Sequence, residues 1–361
     1  MARAPRIVAF LGTQTLGDFI MYHLTAASVA RSTGGRLMVV YRRDRPYKDL
    51  LTLMNPHVAH RLILPDDPAR VAPLDWFFGG GDAPATDWAR EGFDNPDLFL
   101  TPTMLDMGRC LTPVPTLRLP ADLEPGLAAA LVGRGLRPDR WFMALHMREP
   151  FYPHRPHGVT PRNVDPATYL PLVAHVIRNL GGQVVRLGDP SMTPLPDLPG
   201  LIDLSRDDDG FPLQTFALSR ARFAVMTDSG PTQLASALGT PTATTNACGI
   251  GVWRHGDLLM TKAFTTADGR VLDTPHLIDM GVLTLHTRYP LEIDHRANEP
   301  ERLAAVADHM LAATADGPGW RAPAAGDPPA EPQDTVPLPL PWRHIPQFAD
   351  LTVWEPAGAP P

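Results

Sequence analysis

The sequence predicts an α/β chain of two domains, each an alternation of buried strands and amphipathic helices. Three observations carry that expectation. Short apolar or β-branched runs recur with helical patterns between them. Glycines or an Asn-Pro step close those patterns, at Gly34-Gly35, Asn55-Pro56, Gly181-Gly182 and Gly239. The alternating prolines of residues 111–120 interrupt the series once, as a semi-rigid connector does. Strands alternating with helices imply parallel sheets whose ligands sit beyond the carboxyl ends of the strands, and two such domains facing each other make a cleft.

In chain order, residues 7–11 read as a first strand, followed by the loop G-T-Q-T-L-G-D and a helix over 19–33. Residues 37–41 and 61–64 read as the second and third strands, with a short helix over 48–54 between them. The stretch from 65 to 118, with Phe77-Phe78-Gly79-Gly80-Gly81, shows no regular period and places no element. Domains are therefore set at 1–118 and 119–315. The second opens with a helix over 122–136 and a strand over 141–147, then a helix over 167–180 and a strand over 183–187. A helix over 213–219 leads to a strand over 222–227, a turn, and a helix over 233–238. Helices are also expected at 274–280 and 299–313. From 316 to 361 the composition turns to Pro, Ala and Gly, a mostly irregular tail with aromatic islands at Trp342, Phe348 and Trp354 that could pin it to the body or to a partner.

Composition narrows the function. Across 361 residues, 44% hydrophobic and 20% charged content fits a soluble globular protein with two cores. A net charge of −7 excludes a general nucleic-acid or anionic-membrane surface, so any anion site is local. Cys110 and Cys248 form no framework or zinc spacing, which fits a reducing cytoplasm. The first apolar run is too short for a signal peptide and no stretch reaches the length of a membrane span, so the expected location is the cytoplasm.

The central stretch is A-V-M-T-D-S-G-P-T-Q-L-A-S-A-L-G-T-P-T-A-T-T-N, residues 224–246. Asp228, Ser229 and Gly230 form a strand-to-helix turn, where unpaired N–H groups and the helix dipole favour a phosphate; a plain capped turn is the architectural alternative. His146 and Arg148 stand at another strand end, and a guanidinium fork matches phosphate oxygens. An Arg148–Glu149 surface pair beside a core histidine is the competing account, and Arg155, Arg162 and Asn163 are supplementary candidates. Arg186, Gly188 and Asp189 end a third strand, where they hold a ribose or base or else make a turn. Asp18 is placed as a general base or a helix cap. Gly12, Thr13 and Gln14 are placed for acceptor or phosphate contacts. His154 and His157 match no strong zinc spacing, and the D-x-D of Asp207-Asp208-Asp209 reads better as capping carboxylates than as a metal site. No G-x-G-x-x-G, G-x-x-x-x-G-K-[ST] or G-x-S-x-G occurs, which argues against a nicotinamide cofactor, an ATPase and an α/β-hydrolase.

The span from H-M-R-E-P through G-G-Q-V-V-R-L-G-D-P to T-D-S-G-P-T-Q-L-A-S-A-L-G-T-P resembles bacterial glycosyltransferases of the GT-B fold associated with surface carbohydrates. L-G-D-F-I-M-Y-H-L-T-A-A and the central stretch are similar, more distantly, to the lipopolysaccharide heptosyltransferases. The resemblance covers the chain up to about Ala313 and implies two Rossmann-like domains facing across a cleft. It implies a donor diphosphate site at His146, Arg148, Asp228, Ser229, Gly230 and Gln233 and a catalytic role for Gly17-Asp18. With the strand-end readings Arg186, Gly188 and Asp189 on the donor side and Gly12, Thr13 and Gln14 on the acceptor side, the expected catalytic residues are Asp18 and Arg148, with no cofactor or metal. Glu149 stands where GT-B fucosyltransferases carry a second arginine, which speaks against GDP-fucose as donor. The expected function is metal-independent, inverting transfer of a sugar from a nucleotide-sugar to a glycan, lipid-linked or protein hydroxyl. A lipid-linked acceptor would draw the protein to the inner face of the membrane. A nucleotide-sugar 2-epimerase and a non-catalytic sugar-nucleotide binding module are the alternatives.

Overall fold

The computed structural model describes residues 3–12, 15–64, 90–107, 117–152, 155–156, 161–207, 210–248, 257–272, 293–315, 342–344 and 351–354. Cys110, His154, His157, Asp208, Asp209, Phe348, the expected helix over 274–280 and most of the connector and tail lie outside them, as do Thr13 and Gln14. The chain divides into two compact units with a break between Pro120 and Ala121.

In the first unit, β1 (Arg6–Phe10), β2 (Arg36–Arg42), β3 (Val58–Leu64) and β4 (Leu98–Leu100) form a parallel sheet in the order β3-β2-β1-β4. β1 and β2 are apolar at nearly every position because a parallel sheet is covered on both faces. Val8, Phe10, Met38, Val40, Leu64 and Phe93 make one core cluster. α1 (Leu16–Thr33) begins three residues before the expected start, with Thr15 as its extended N-cap. Asp18 therefore lies in the first helical turn and not at the end of the loop. Gly34, at φ 63, turns the chain out of the helix through N–H bonds to Ala30 O and Arg31 O. α2 (Tyr47–Met54) and α3 (Pro102–Met107) also belong to the unit.

The second unit carries the larger sheet. Its parallel strands are β5 (Phe142–His146), β8 (Gln183–Arg186), β9 (Leu201–Asp203), β10 (Phe223–Thr227), β11 (Thr242–Ala247) and β12 (Leu258–Thr261). They run in the order β9-β8-β5-β10-β11-β12. Numbered from β5, this is the 3-2-1-4-5-6 order of a dinucleotide-type sheet, with its switch point between β5 and β10. A two-residue hairpin, β6 (Phe151–Tyr152) with β7 (Arg155–Pro156), follows β5. α4 (Glu124–Gly133), α5 (Leu170–Arg178), α6 (Phe211–Arg220), α7 (Gly230–Leu238) and α8 (Pro300–Ala313) are the helices. Val173 and Val176 of α5 and Leu303, Val306 and Met310 of α8 join Leu145, Val184 and Val225 in the main core. A small antiparallel sheet joins β13 (Ala263–Thr266), β14 (Val271–Leu272) and β15 (Ile293–Arg296). Two of the tail's aromatic islands are strands: β17 (Leu351–Trp354) pairs antiparallel with β12, and β16 (Trp342–His344) pairs with β17. No helix among the described residues is long and apolar enough to cross a membrane.

The end of α1 closes tightly on β1, since a Cβ at Gly35 would lie 2.5 Å from Cδ1 of the buried Ile7. Gly35→Ala is expected to lower the unfolding free energy by about 1–3 kcal/mol through overpacking. Urea denaturation measures this, and an unchanged midpoint would show that Ile7 has room to move.

Candidate functional site

β5 and β10 lie side by side, with His146 opposite Met226, so the residues that follow each strand emerge together at the switch point. Hydrogen bonds tie the two exits. Arg148 N–H donates to Thr227 Oγ1 at 2.8 Å, while Thr227 O accepts from Ser229 Oγ at 3.1 Å and Thr232 Oγ1 at 2.5 Å. Ser229 Oγ also meets His146 Nδ1 at 3.0 Å. His146 is buried, and desolvation, then the charges of Arg148 and Arg186, push its pKa down to about 3. At neutral pH it is an uncharged strut for the serine.

The Ser229 hydroxyl thus faces inward and makes no cap bond to α7. Pro231 has no N–H and Thr232 N–H turns back to Ser229 O, which leaves the Ser229 and Gly230 amides to represent the helix start. Gln233, half-buried, lies in the same turn.

The loop after β5 returns Arg162 and Asn163 to this place through Val164 N–H and Arg148 O. Arg162 Nε donates to Asp228 O at 3.0 Å, and its terminal nitrogen is 3.5 Å from Asp228 Oδ1. Asn163 Oδ1 holds Arg148 Nε at 3.3 Å. Two buried atoms here have no partner among the described residues, Asp228 Oδ2 and Asn163 Nδ2. The half-buried Arg148 guanidinium, the helix-start amides and these unspent groups form an edge suited to an anion with polar neighbours.

Several sequence expectations need correction. Arg186 is fully buried, its terminal nitrogens bonded to Glu149 Oε1 and Asp203 Oδ2, each at 3.0 Å, so it is a strut and not a ligand contact. Glu149 pairs with Arg186 rather than with Arg148, and its Oε2 accepts Thr193 N–H. The N–H and C=O of Gly188 are both taken by the Gln214 amide, and Asp189 Oδ1 accepts Ser191 N–H in a local turn. Gly188 is thereby tied to α6, while Asp189 stays half-buried in its own turn. Asp207 is bound by Arg134, which accounts for one member of the D-x-D.

In the first unit, Gly12 is exposed beyond β1, and a Cβ there would come 3.2 Å from Pro102 Cγ. Gly17 and Asp18 lie in the first turn of α1, and Thr15 Oγ1 donates to Asp18 Oδ2 at 2.6 Å, which orients the carboxylate. Beneath them sit two buried titratable groups that sequence reasoning missed. Lys48 Nζ is 2.7 Å from Asp44 Oδ1 and 5.0 Å from the Phe19 ring centre. His23 is pushed down to about 3 by burial and by Lys48. A lysine on a short amphipathic helix gives no sign that it faces inward. In the second unit, Lys262 was likewise missed: it is buried after β12 with Nζ donating to Asn163 O at 2.9 Å.

No protein-family model matches the chain, and no curated protein matches its sequence. Solved structures do. The glycosyl transferase family 9 structure from Veillonella parvula DSM 2008 is 12% identical, with TM-score 0.56, over 86% of this chain and 99% of that one. The fold is GT-B-like. The E. coli ADP-heptose lps heptosyltransferase II matches at 14% identity and TM-score 0.48, over 85% of this chain and 99% of that one. Within the GT-B-like fold, the edge built from Arg148, Asn163, Asp228 and the start of α7 occupies the switch point of the second Rossmann-like unit, where such sheets take their ligands.

Two outcomes test the site's construction. Glu149→Ala leaves the Arg186 charge buried against Asp203 alone and is expected to cost about 3–5 kcal/mol of stability, measured by denaturant unfolding. His146 remains neutral in the folded state down to about 3, whereas the unfolded chain protonates below 6.5, so stability falls as pH drops through that window. The expected slope is on the order of 1 kcal/mol per pH unit. Unfolding of wild type and His146→Asn across it should give a flatter profile for the variant, and equal slopes would assign the acid sensitivity to other groups such as His23.

Proposed function

We propose that the protein is a glycosyltransferase whose second unit binds a nucleotide-activated sugar and whose first unit presents a hydroxyl acceptor. The observation that supports this best is the joining of Arg148 to the start of α7 through Thr227 at the switch point of a dinucleotide-type sheet. Dinucleotide-type sheets accept nucleotides at that point, and a guanidinium beside helix-start amides favours a diphosphate.

In the reaction this implies, the acceptor oxygen attacks the anomeric carbon as the bond from that carbon to the diphosphate oxygen breaks. Inversion follows from attack opposite the leaving group. The diphosphate departs with an added negative charge, and Arg148 with the Ser229 and Gly230 amides stabilises it, the task a metal ion performs in other transferases. The acceptor proton passes to the Asp18 carboxylate, whose second oxygen is held by Thr15. The acceptor is a hydroxyl of a surface glycan or glycoconjugate.

The test combines a thermal-shift screen against UDP-, GDP-, CDP-, dTDP- and ADP-sugars with turnover assays. Arg148→Ala is expected to weaken donor binding by about 10- to 100-fold, the equivalent of one charge-assisted contact. Asp18→Asn should retain donor binding and lose about 10²–10⁴ of the rate. Donor protection without consumption would favour a binding module, and release of nucleoside diphosphate from donor alone would favour an epimerase.

A further inference from the structure

Lys262 follows β12 at the same edge of the second unit, and only 5% of its surface is exposed. Its ammonium makes one hydrogen bond, to the backbone carbonyl of Asn163, and has no carboxylate partner among the described residues. A buried ammonium served by one neutral oxygen is unfavourable, because it gives up hydration without gaining a counter-charge. Desolvation accordingly lowers its pKa. The titratable groups around it are the Cys248 thiol at the end of β11 and the His295 imidazole on β15, whose own pKa Lys262 helps to lower. Arg148 reaches it through Asn163. None of these is a carboxylate, and Cys248 is the one whose interaction favours the charged ammonium.

Asn163 is the hinge of the arrangement. Its side-chain oxygen holds Arg148 Nε, its backbone oxygen holds Lys262 Nζ, and its Nδ2 is buried with no partner. Of the carboxylates on this edge, Glu149 is engaged by Arg186, and Asp228 meets Arg162 through Oδ1 while its Oδ2 has no partner among the described residues. Among the described residues, a cation without a carboxylate partner and a donor without an acceptor thus converge on the residue that orients Arg148. Both deficits are met by one anion.

We infer that Lys262 is a second cationic ligand of the donor site, gripping the diphosphate of a nucleoside-diphosphate sugar together with Arg148 and the Asn163 amide. This rests on the donor-site reading given under Proposed function. The role suits a lysine, whose charge burial can weaken, more than an arginine, which stays charged at any working pH.

Titration calorimetry with ADP, UDP, GDP and inorganic pyrophosphate, on wild type, Lys262→Met, Lys262→Arg and Arg148→Ala, tests it. Lys262→Met is expected to weaken binding of the probes about tenfold or more. Wild-type affinity should fall as pH rises, beginning below the ordinary lysine value of 10.5 because the ammonium loses its proton early. Lys262→Arg should hold its affinity across that range. If Lys262→Met binds as wild type while Arg148→Ala does not, Lys262 is not a ligand and the donor site stands. A pH slope that persists in Lys262→Arg belongs to another group, such as Cys248, and also overturns the inference. Failure of wild type to bind any of the four probes rejects the donor site and the inference together. Should Lys262→Met not fold, the comparison of wild type with Lys262→Arg decides by itself.

Discussion

The candidate site depends on Thr227. A doubly wound sheet leads the chain away in opposite directions after its two central parallel strands, so the ladder brings the two exits together without holding the loops that follow. Here one residue at the end of β10 does so from both of its oxygens. Its hydroxyl takes the backbone N–H of Arg148, and its carbonyl takes the hydroxyls of Ser229 and Thr232. Arg148 and the start of α7 are consequently held from the same residue. A site for an anion requires that its donors be set in place beforehand, since donors that must reorganise lose much of their effect.

The charges behind that edge are arranged so that few are left over. Arg186 is spent on Glu149 and Asp203, Arg162 on Asp228, and His146 is kept neutral by burial. Burial first, and then the positive charges of Arg148 and Arg186, disfavour a protonated His146, which is why it stays neutral down to about 3. The buried pairs cost desolvation, and their return is rigidity: Arg186 and Glu149 connect β8 to the loop after β5, directly behind Arg148.

The alternation of strands and helices was legible because each long element carried its own period and stop signal, as α1 does with Gly34 and α7 with Gly239, both left-handed in the structure. β4 and β9 were not legible. Each is three residues long, Leu98–Leu100 and Leu201–Asp203, and too short to display alternation. Strand-end position pointed to Arg148 and the turn at Asp228, Ser229 and Gly230, each with an architectural alternative that the sequence alone left open. The same logic misjudged Arg186. Its motif looks alike, and only the fold reveals that Glu149 and Asp203 close on it from neighbouring segments. Lys262 drew no assignment at all: nothing in L-L-M-T-K marks the lysine as buried, and its burial is a product of segments distant in sequence meeting around it.

What fixes Lys262 is the irregular passage from β11 to β12. Asn246 adopts a left-handed backbone at φ 50, an uncommon state for a residue with a Cβ, and the β11–β12 register shifts beside it. Asparagine tolerates that conformation better than most residues, and its side chain here is fully used. Nδ2 donates to the Tyr169 hydroxyl, Oδ1 accepts Asn298 N–H, and Asn298 Oδ1 accepts Asn246 N–H. Asn298 Nδ2 then reaches Thr261 O, and Lys262 N–H donates to Ala247 O. Glycine would adopt the same backbone with less strain but would leave the buried Asn298 backbone N–H without its acceptor and the Tyr169 hydroxyl with Thr245 alone. The strained asparagine is therefore the residue through which α8's leading segment, the 3₁₀ turn Pro166–Tyr169 and β12 agree on one geometry, and that geometry carries the lysine to Asn163.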